Sequence, residues 1–334
     1  MTIPLLSVAF ATSPTSADDI VVAEQLGYEA AWLYDTPQQS PDVWMALTEA
    51  ALKTTRIGLG PGVLVPSLRH PMVNAAATQT LQRLAPGRVN VAFGTGFTGR
   101  NAMGSRALPW SYMRDYITAY SGLLRGEVVT WEGARMQMMP PELSPSSPPA
   151  PPPLYIGAMG PKGAEHAHAL GADGIFVMGA PTASMAEFAH SVLLTSGTVL
   201  EPDEASDSDR VRATAGPAWA IAYHFTYEQG GAEAVAGLPG GAAWSEIIER
   251  HPEGERHLAT HRGHLVRLHD ADHAAWEAGG SAMVPLMTLT GPASTIADTA
   301  RQVGAAGIGS LSFQPCGPDL HGEMERFINA ARSS

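Results

Sequence analysis

RIGLGPGVLVPSLRHP, residues 56–71, starts as a buried strand and then breaks the pattern of one. Ile57, Leu59, Leu64 and Val65 supply the apolar run, but Gly60, Pro61 and Gly62 interrupt it. Proline cannot donate to a strand ladder and glycine adds nothing to packing. Their presence calls for a bulge or for the close approach of another group to the backbone.

Outward from this stretch, short apolar runs predict strands over 5–10, 30–34, 57–65, 89–94, 154–158, 174–178, 212–222 and 308–313. Helical patterns with recognisable ends lie between them. They run over 18–26 closed by Gly27, 42–53, 71–84 with Pro71 at the first position, 162–170 closed by Gly171, and 294–306 closed by Gly307. Eight strands alternating with helices predict an α/β fold, a (β/α)8 TIM barrel formed as one domain over residues 1–334.

Two connections are far longer than the usual few residues and read as insertions after strands 4 and 7. The first holds a helix over 110–124, a hairpin over 128–138 and the proline-rich run PPELSPSSPPAPPP at 140–153, expected as an extended connector. The second holds LPGGAAW, a helix over 244–250 and the histidine-rich ERHLATHRGHLVRLH.

The 334 residues are 45% hydrophobic, enough to bury a large core. A net charge of −12 argues against nucleic acid or an anionic membrane as partner, since both require clustered Lys and Arg. No apolar run approaches the ~20 residues of a membrane span, and Met1–Phe10 lacks a basic leader, so a cytoplasmic address is expected. Cys316 is the only cysteine, which excludes an internal disulfide and a cysteine metal cluster; a small buried residue is its plain reading.

GTGFTG, 94–99, matches G-x-G-x-x-G but ends the predicted fourth strand, with no prompt helix and second strand after it. It is therefore not read as a Rossmann fingerprint, although its glycines can still let a cofactor approach. GAMGPKG, 157–163, joins a strand to a helix, and its N–H groups could hold an anion; a tight strand-to-helix turn is the alternative. Asp35 ends the second strand, facing the catalytic mouth of a barrel or, alternatively, forming a turn before Pro37. His257, His261 and His264 fall on one helical face. Without an H-E-x-x-H pattern no metal is expected there, and the face lines a substrate pocket or meets solvent.

TTRIGLGPGVLVPSLRHPMVNAAATQTLQRLAPGRVNVAFGTG, with AEQLGYEAAWLYD before it and PPPLYIGAMGPKGAEHAHALGADGIFVMG and TGPASTIADTARQVGAAGIGSLSFQP after it, resembles the bacterial luciferase-like superfamily. Those barrel enzymes use FMN or the deazaflavin coenzyme F420. The resemblance implies a non-prolyl cis peptide between Gly62 and Val63 that backs the cofactor ring. It places Gly62, Val63, Val65, Gly94, Thr95 and Gly96 around that ring, with Val177 nearby, and Ala158, Met159, Gly160 and Lys162 around the phosphate. Asp35 and Thr36 would stand at the catalytic position.

Sugar-phosphate and alcohol dehydrogenases of that superfamily have His where Thr36 stands and Glu where Phe97 stands, so alcohol oxidation is in doubt here. The implied activity is F420-dependent hydride transfer to a small substrate with an activated C=C or C=N bond. The alternatives are an FMN monooxygenase fed by a separate reductase and a non-catalytic cofactor-binding barrel. Trp44, Phe97, Arg100, Trp110, Tyr223, His257, His261 and His264 would line the substrate pocket, and the chain would pair as a homodimer.

Overall fold

In the computed structural model, which describes residues 3–39, 41–139 and 149–333, eight parallel strands form a barrel with helices around it. They are β1 (Leu5–Phe10), β2 (Ala30–Leu33), β3 (Gly58–Pro61), β4 (Val91–Phe93), β5 (Leu154–Gly157), β6 (Gly174–Met178), β7 (His190–Ser196) and β8 (Ser310–Gln314). Continuous pairing runs β3-β2-β1-β8-β7-β6-β5-β4. The ring closes between β3 and β4 through two bridges alone, Leu59 to Val89 and Leu64 to Phe93. Five steps along β3 face four along β4, so one extra residue bulges out of the wall at the Gly-Pro-Gly-Val step. The Gly62–Val63 peptide is cis, as the resemblance implies.

Side chains alternate across the wall with period two. Leu33, Phe93, Ile156, Ile175 and Phe313 point outward and are sealed by the helices, while Trp32, Tyr34, Ala92, Tyr155, Phe176 and Leu194 fill the interior. Trp32 meets Tyr155 and Phe176 edge-on, each with ring centres 5.2 Å apart, and the three plug the barrel's middle.

The flanking helices end where their sequences dictate. Gly27 takes the left-handed conformation, φ 88°, that closes the helix Ser16–Leu26. The Asp42 carboxylate caps the helix Val43–Lys53 by accepting from the N–H groups of Trp44 and Met45. Pro71 opens the helix Pro71–Leu84.

One strand differs from its expected position. Residues 212–222 are helical, belonging to the segments Asp209–Thr214, Gly216–Trp219 and Ile221–Ala236; the seventh strand is His190–Ser196. The interior Gly216-Pro217 step opens a helix, a use of proline that costs no ladder bond. The second insertion therefore starts earlier than expected, and it folds about its own apolar cluster of Trp219, Tyr223, Val235, Trp244, Ile248 and Trp276.

In the first insertion the helix Trp110–Leu124 and a hairpin of Val129–Trp131 with Ala134–Met136 stand as expected. Most of the proline-rich run lies outside the described residues.

Gly60 tests the bulge. A Cβ there would sit 2.1 Å from the Asn90 carbonyl oxygen, a backbone atom that cannot yield. Gly60→Ala should therefore lower stability by about 1–3 kcal/mol in a urea titration. Gly254→Ala, where a Cβ meets nothing within 4 Å, should leave the midpoint unchanged.

Candidate active site

The interior positions that follow Trp32, Ala92 and Tyr155 lie at the C-terminal mouth of the barrel, where TIM-barrel enzymes carry their chemistry. At the C-terminal ends of β3, β4 and β5, which are neighbours, these positions are Gly62 and Gly94, each just past its strand, and Gly157. Across the mouth they are Tyr34 and Gln314.

One wall is thus stripped of side chains while the opposite wall is full. Val63 lies over the stripped wall. A Cβ on Gly94 would come within 2.6 Å of one Val63 methyl, and a Cβ on Gly157 within 3.2 Å of the other. Val63 remains half-buried, so its outer face is the floor of the mouth. The sequence singled out Gly157 only as the first residue of the GAMGPKG turn, not as part of this wall. Gly96, φ 74°, belongs to the same arrangement, because a Cβ there would strike Val65 at 2.5 Å. A five-residue helix, Phe97–Asn101, follows it, contrary to the expectation of no prompt helix; the next strand, Val129–Trp131, belongs to the hairpin and not to the barrel sheet.

Asp35 meets a partner that sequence reading missed. Arg69 places its Nη1 2.9 Å and 2.7 Å from the two Asp35 carboxylate oxygens, while its Nη2 bonds Asp42 at 2.7 Å. Val65 N–H also donates to Asp35. Burial pushes the Asp35 carboxyl upward against the pull of Arg69. The network ties the end of β2, the start of the helix Val43–Lys53 and the loop after β3, so Asp35 holds the segment just beyond Val63. Tyr116 donates to the Arg69 carbonyl and extends the network to the helix Trp110–Leu124.

Beyond β5 the helix Gly160–Ala169 opens toward solvent with Met159 and Lys162 exposed. A Cβ on Gly163 would lie 2.6 Å from that of Ala158, so glycine lets this helix start close against β5. Ala158 is buried and contributes backbone alone.

Several expected pocket residues serve the scaffold instead. Val177 is 2% exposed and points outward into the layer beneath the helices, so its side chain does not reach the mouth. Val65 joins the same outer layer. Trp44 is buried and donates from Nε1 to Asn74. Tyr223 is enclosed in the core of the second insertion and donates to the Pro239 carbonyl, which removes it from any pocket.

Trp110 stacks on His166 with ring centres 4.5 Å apart. Arg100 is held by the Arg106 carbonyl and by Ser67. Phe97 lies beside Phe225, ring centres 5.4 Å apart, and gives that edge of the mouth an apolar character.

The three expected histidines do not share a helical face. The helix ends at Thr260, so the chain turns between His261 and His264. His257 packs beside Gly104, while His261 and His264 are buried. Leu265 follows in a left-handed conformation, φ 60°, and packs against the barrel's interior cluster. Its carbonyl accepts from Gln314 Nε2 and from the buried Cys316 thiol, and Gln314 in turn accepts from Tyr34 OH at 2.6 Å. This chain of bonds fastens the second insertion across the mouth.

Residues 17–309 match the model of the luciferase-like monooxygenase family. An F420-dependent glucose-6-phosphate dehydrogenase of Beutenbergia cavernae is 34% identical over 166 residues, 45% of this chain and 48% of its own. A 5,10-methylenetetrahydromethanopterin reductase of Methanolobus tindarius is 32% identical over 158 residues, 47% of each chain. The chain thus spans about half the length of the curated relatives it matches.

Among solved structures, the coenzyme F420-dependent tetrahydromethanopterin reductase of Methanopyrus kandleri superposes with a TM-score of 0.66 at 19% identity, covering 99% of this chain and 98% of that one. At that identity the likeness is one of fold. A barrel with a glycine-lined wall, matched by the family model over nearly its whole length, belongs to the luciferase-like monooxygenase family.

Proposed function

We propose that this chain is an F420-dependent oxidoreductase that transfers hydride between the deazaflavin and a small organic substrate with an activated C=C or C=N bond. The observation that carries the reading is the floor of Val63 laid over Gly94 and Gly157, since a planar ring needs a wall from which side chains have been withdrawn. The residues fit the cofactor at both ends. Gly62, Val63, Gly94, Thr95 and Gly96 would hold the ring, and the start of the helix Gly160–Ala169 with Lys162 would hold the phosphate. When bound, F420 supplies a carbon that donates or accepts hydride. Relatives named as F420-dependent favour it over FMN.

Two substitutions narrow the substrate. With Thr36 and Phe97 where His and Glu would stand, and Phe97 against Phe225, no acid–base pair at those positions takes an alcohol's proton. Asp35 is committed to Arg69 and acts by holding the Val63 loop, so its part is positioning. The reading includes a homodimer formed through the helices after β2 and β3, which expose Met45, Leu52 and Val73.

Fluorescence titration of the purified protein should give saturable binding of F420 and weaker binding of FMN. Tight FMN binding with oxygen consumption by reduced FMN would replace this reading with a monooxygenase, and failure of both cofactors would leave a non-catalytic barrel. Lys162→Ala should weaken F420 binding several-fold with an unchanged melting temperature.

Asp35→Ala should lower the rate of reduced-F420 oxidation, followed against a panel of conjugated enones and imines, by at least ~10-fold. Arg69→Ala should do the same, and an unchanged rate in both would remove the pair from the site. Light scattering should report a dimer that Met45→Glu with Leu52→Glu converts to monomer.

A further inference from the structure

The second insertion encloses a group of imidazoles that the cofactor site does not use. His224 comes from the helix Ile221–Ala236, and His261 and His264 from the turn that ends in Leu265. All three are at most 5% exposed. One ring nitrogen of each lies within 4.8 Å of one ring nitrogen of both others. The ring centres stand 5.8, 5.2 and 5.5 Å apart. A point equidistant from three such centres is about 3.2 Å from each, the spacing of an imidazole whose nitrogen meets zinc at about 2.0–2.1 Å.

The outer partners point the same way. His224 Nε2 faces the buried Asp272 carboxylate at 3.3 Å, and its Nδ1 turns to His264 Nδ1 at 2.9 Å. His261 Nε2 lies 2.5 Å from Glu228 Oε1, a close pair outside hydrogen-bond geometry, and its buried Nδ1 has no hydrogen-bond partner among the described residues. A carboxylate on the far nitrogen, leaving the near one with a free lone pair, is the arrangement that orients metal-binding histidines. The groups facing the cluster are consistent with it. His269 faces it too, stacked on His224 with ring centres 5.5 Å apart. Asp272 is itself fixed by Trp244 Nε1, which donates to it at 2.8 Å.

We propose that His224, His261 and His264 form a three-histidine site for one divalent transition-metal ion of the zinc class, oriented by Asp272 and Glu228. All-imidazole donors suit zinc, cobalt or copper and not magnesium or calcium. The ion would clamp the helix Ile221–Ala236 to the turn that lays Leu265 on the barrel interior. This inference does not depend on which cofactor the barrel takes.

The full-length protein, stripped with a chelator and gel-filtered, should retain one equivalent of added Zn(II) per chain and gain in melting temperature. Co(II) should give the strong visible absorption of a nitrogen-ligated low-symmetry site at the same stoichiometry. His261→Ala and His264→Gln should abolish both signals, Asp272→Asn should weaken affinity about 10–100-fold, and the exposed His273→Ala should change nothing. Should the histidine variants fail to fold, the wild-type titration decides. Less than stoichiometric Zn(II) and no Co(II) absorption would overturn the proposal and leave a hydrogen-bonded histidine cluster, as would retention of the Co(II) spectrum in a folded His261→Ala protein.

Discussion

Val63 can occupy the mouth of this barrel only because its two neighbours across the wall have no side chains. Methyl groups on Gly94 and Gly157 would each press on a different branch of the valine. The constraint spans three adjacent strands and sets what else must hold. The bulge turns Val63 inward, the Asp35–Arg69 pair fixes the loop beyond it, and Tyr34 and Gln314 fill the wall opposite. Remove the glycines and the floor rises; remove the ion pair and the floor loses its anchor.

What could be read from the chain in advance was local. Gly27, Asp42 and Pro71 mark helix ends because each acts through its own backbone or the first turn beside it, and the Gly-Pro-Gly step announced the bulge for the same reason. The floor was partly legible, since glycine-ended strands can be seen singly, but their adjacency cannot be seen until the ring closes. Arg69 was passed over because its partner lies 34 residues away. The seventh strand was missed for a different reason. HSVLLTS is a short apolar run whose period does not distinguish strand from helix. Residues 212–222 offered a rival whose buried Ala215 and Trp219 sit four apart and lie in helical backbone.

The second insertion carries a lesson about histidine. Spacing alone put His257, His261 and His264 on one face, which would hold for an unbroken helix. The break after Thr260 sends His257 toward Gly104 and draws the other two inward to His224, a residue that no short motif connects to them. Buried polar groups in this insertion meet across long sequence separations, and its aromatic core, with Trp219, Trp244 and Trp276, provides the dry surroundings that make those meetings necessary.

The two-bridge join between β3 and β4 bears on how the wall holds. Leu59 and Leu64 exchange backbone hydrogen bonds with the facing chain, and the residues between them contribute none to that partner. Among the described residues seven of the eight strand junctions are continuous ladders, whereas this one rests on two isolated bridges. The wall beside Val63 is therefore the part of the barrel held by the fewest interstrand bonds, and the Asp35–Arg69 pair supplies from the side what the ladder does not.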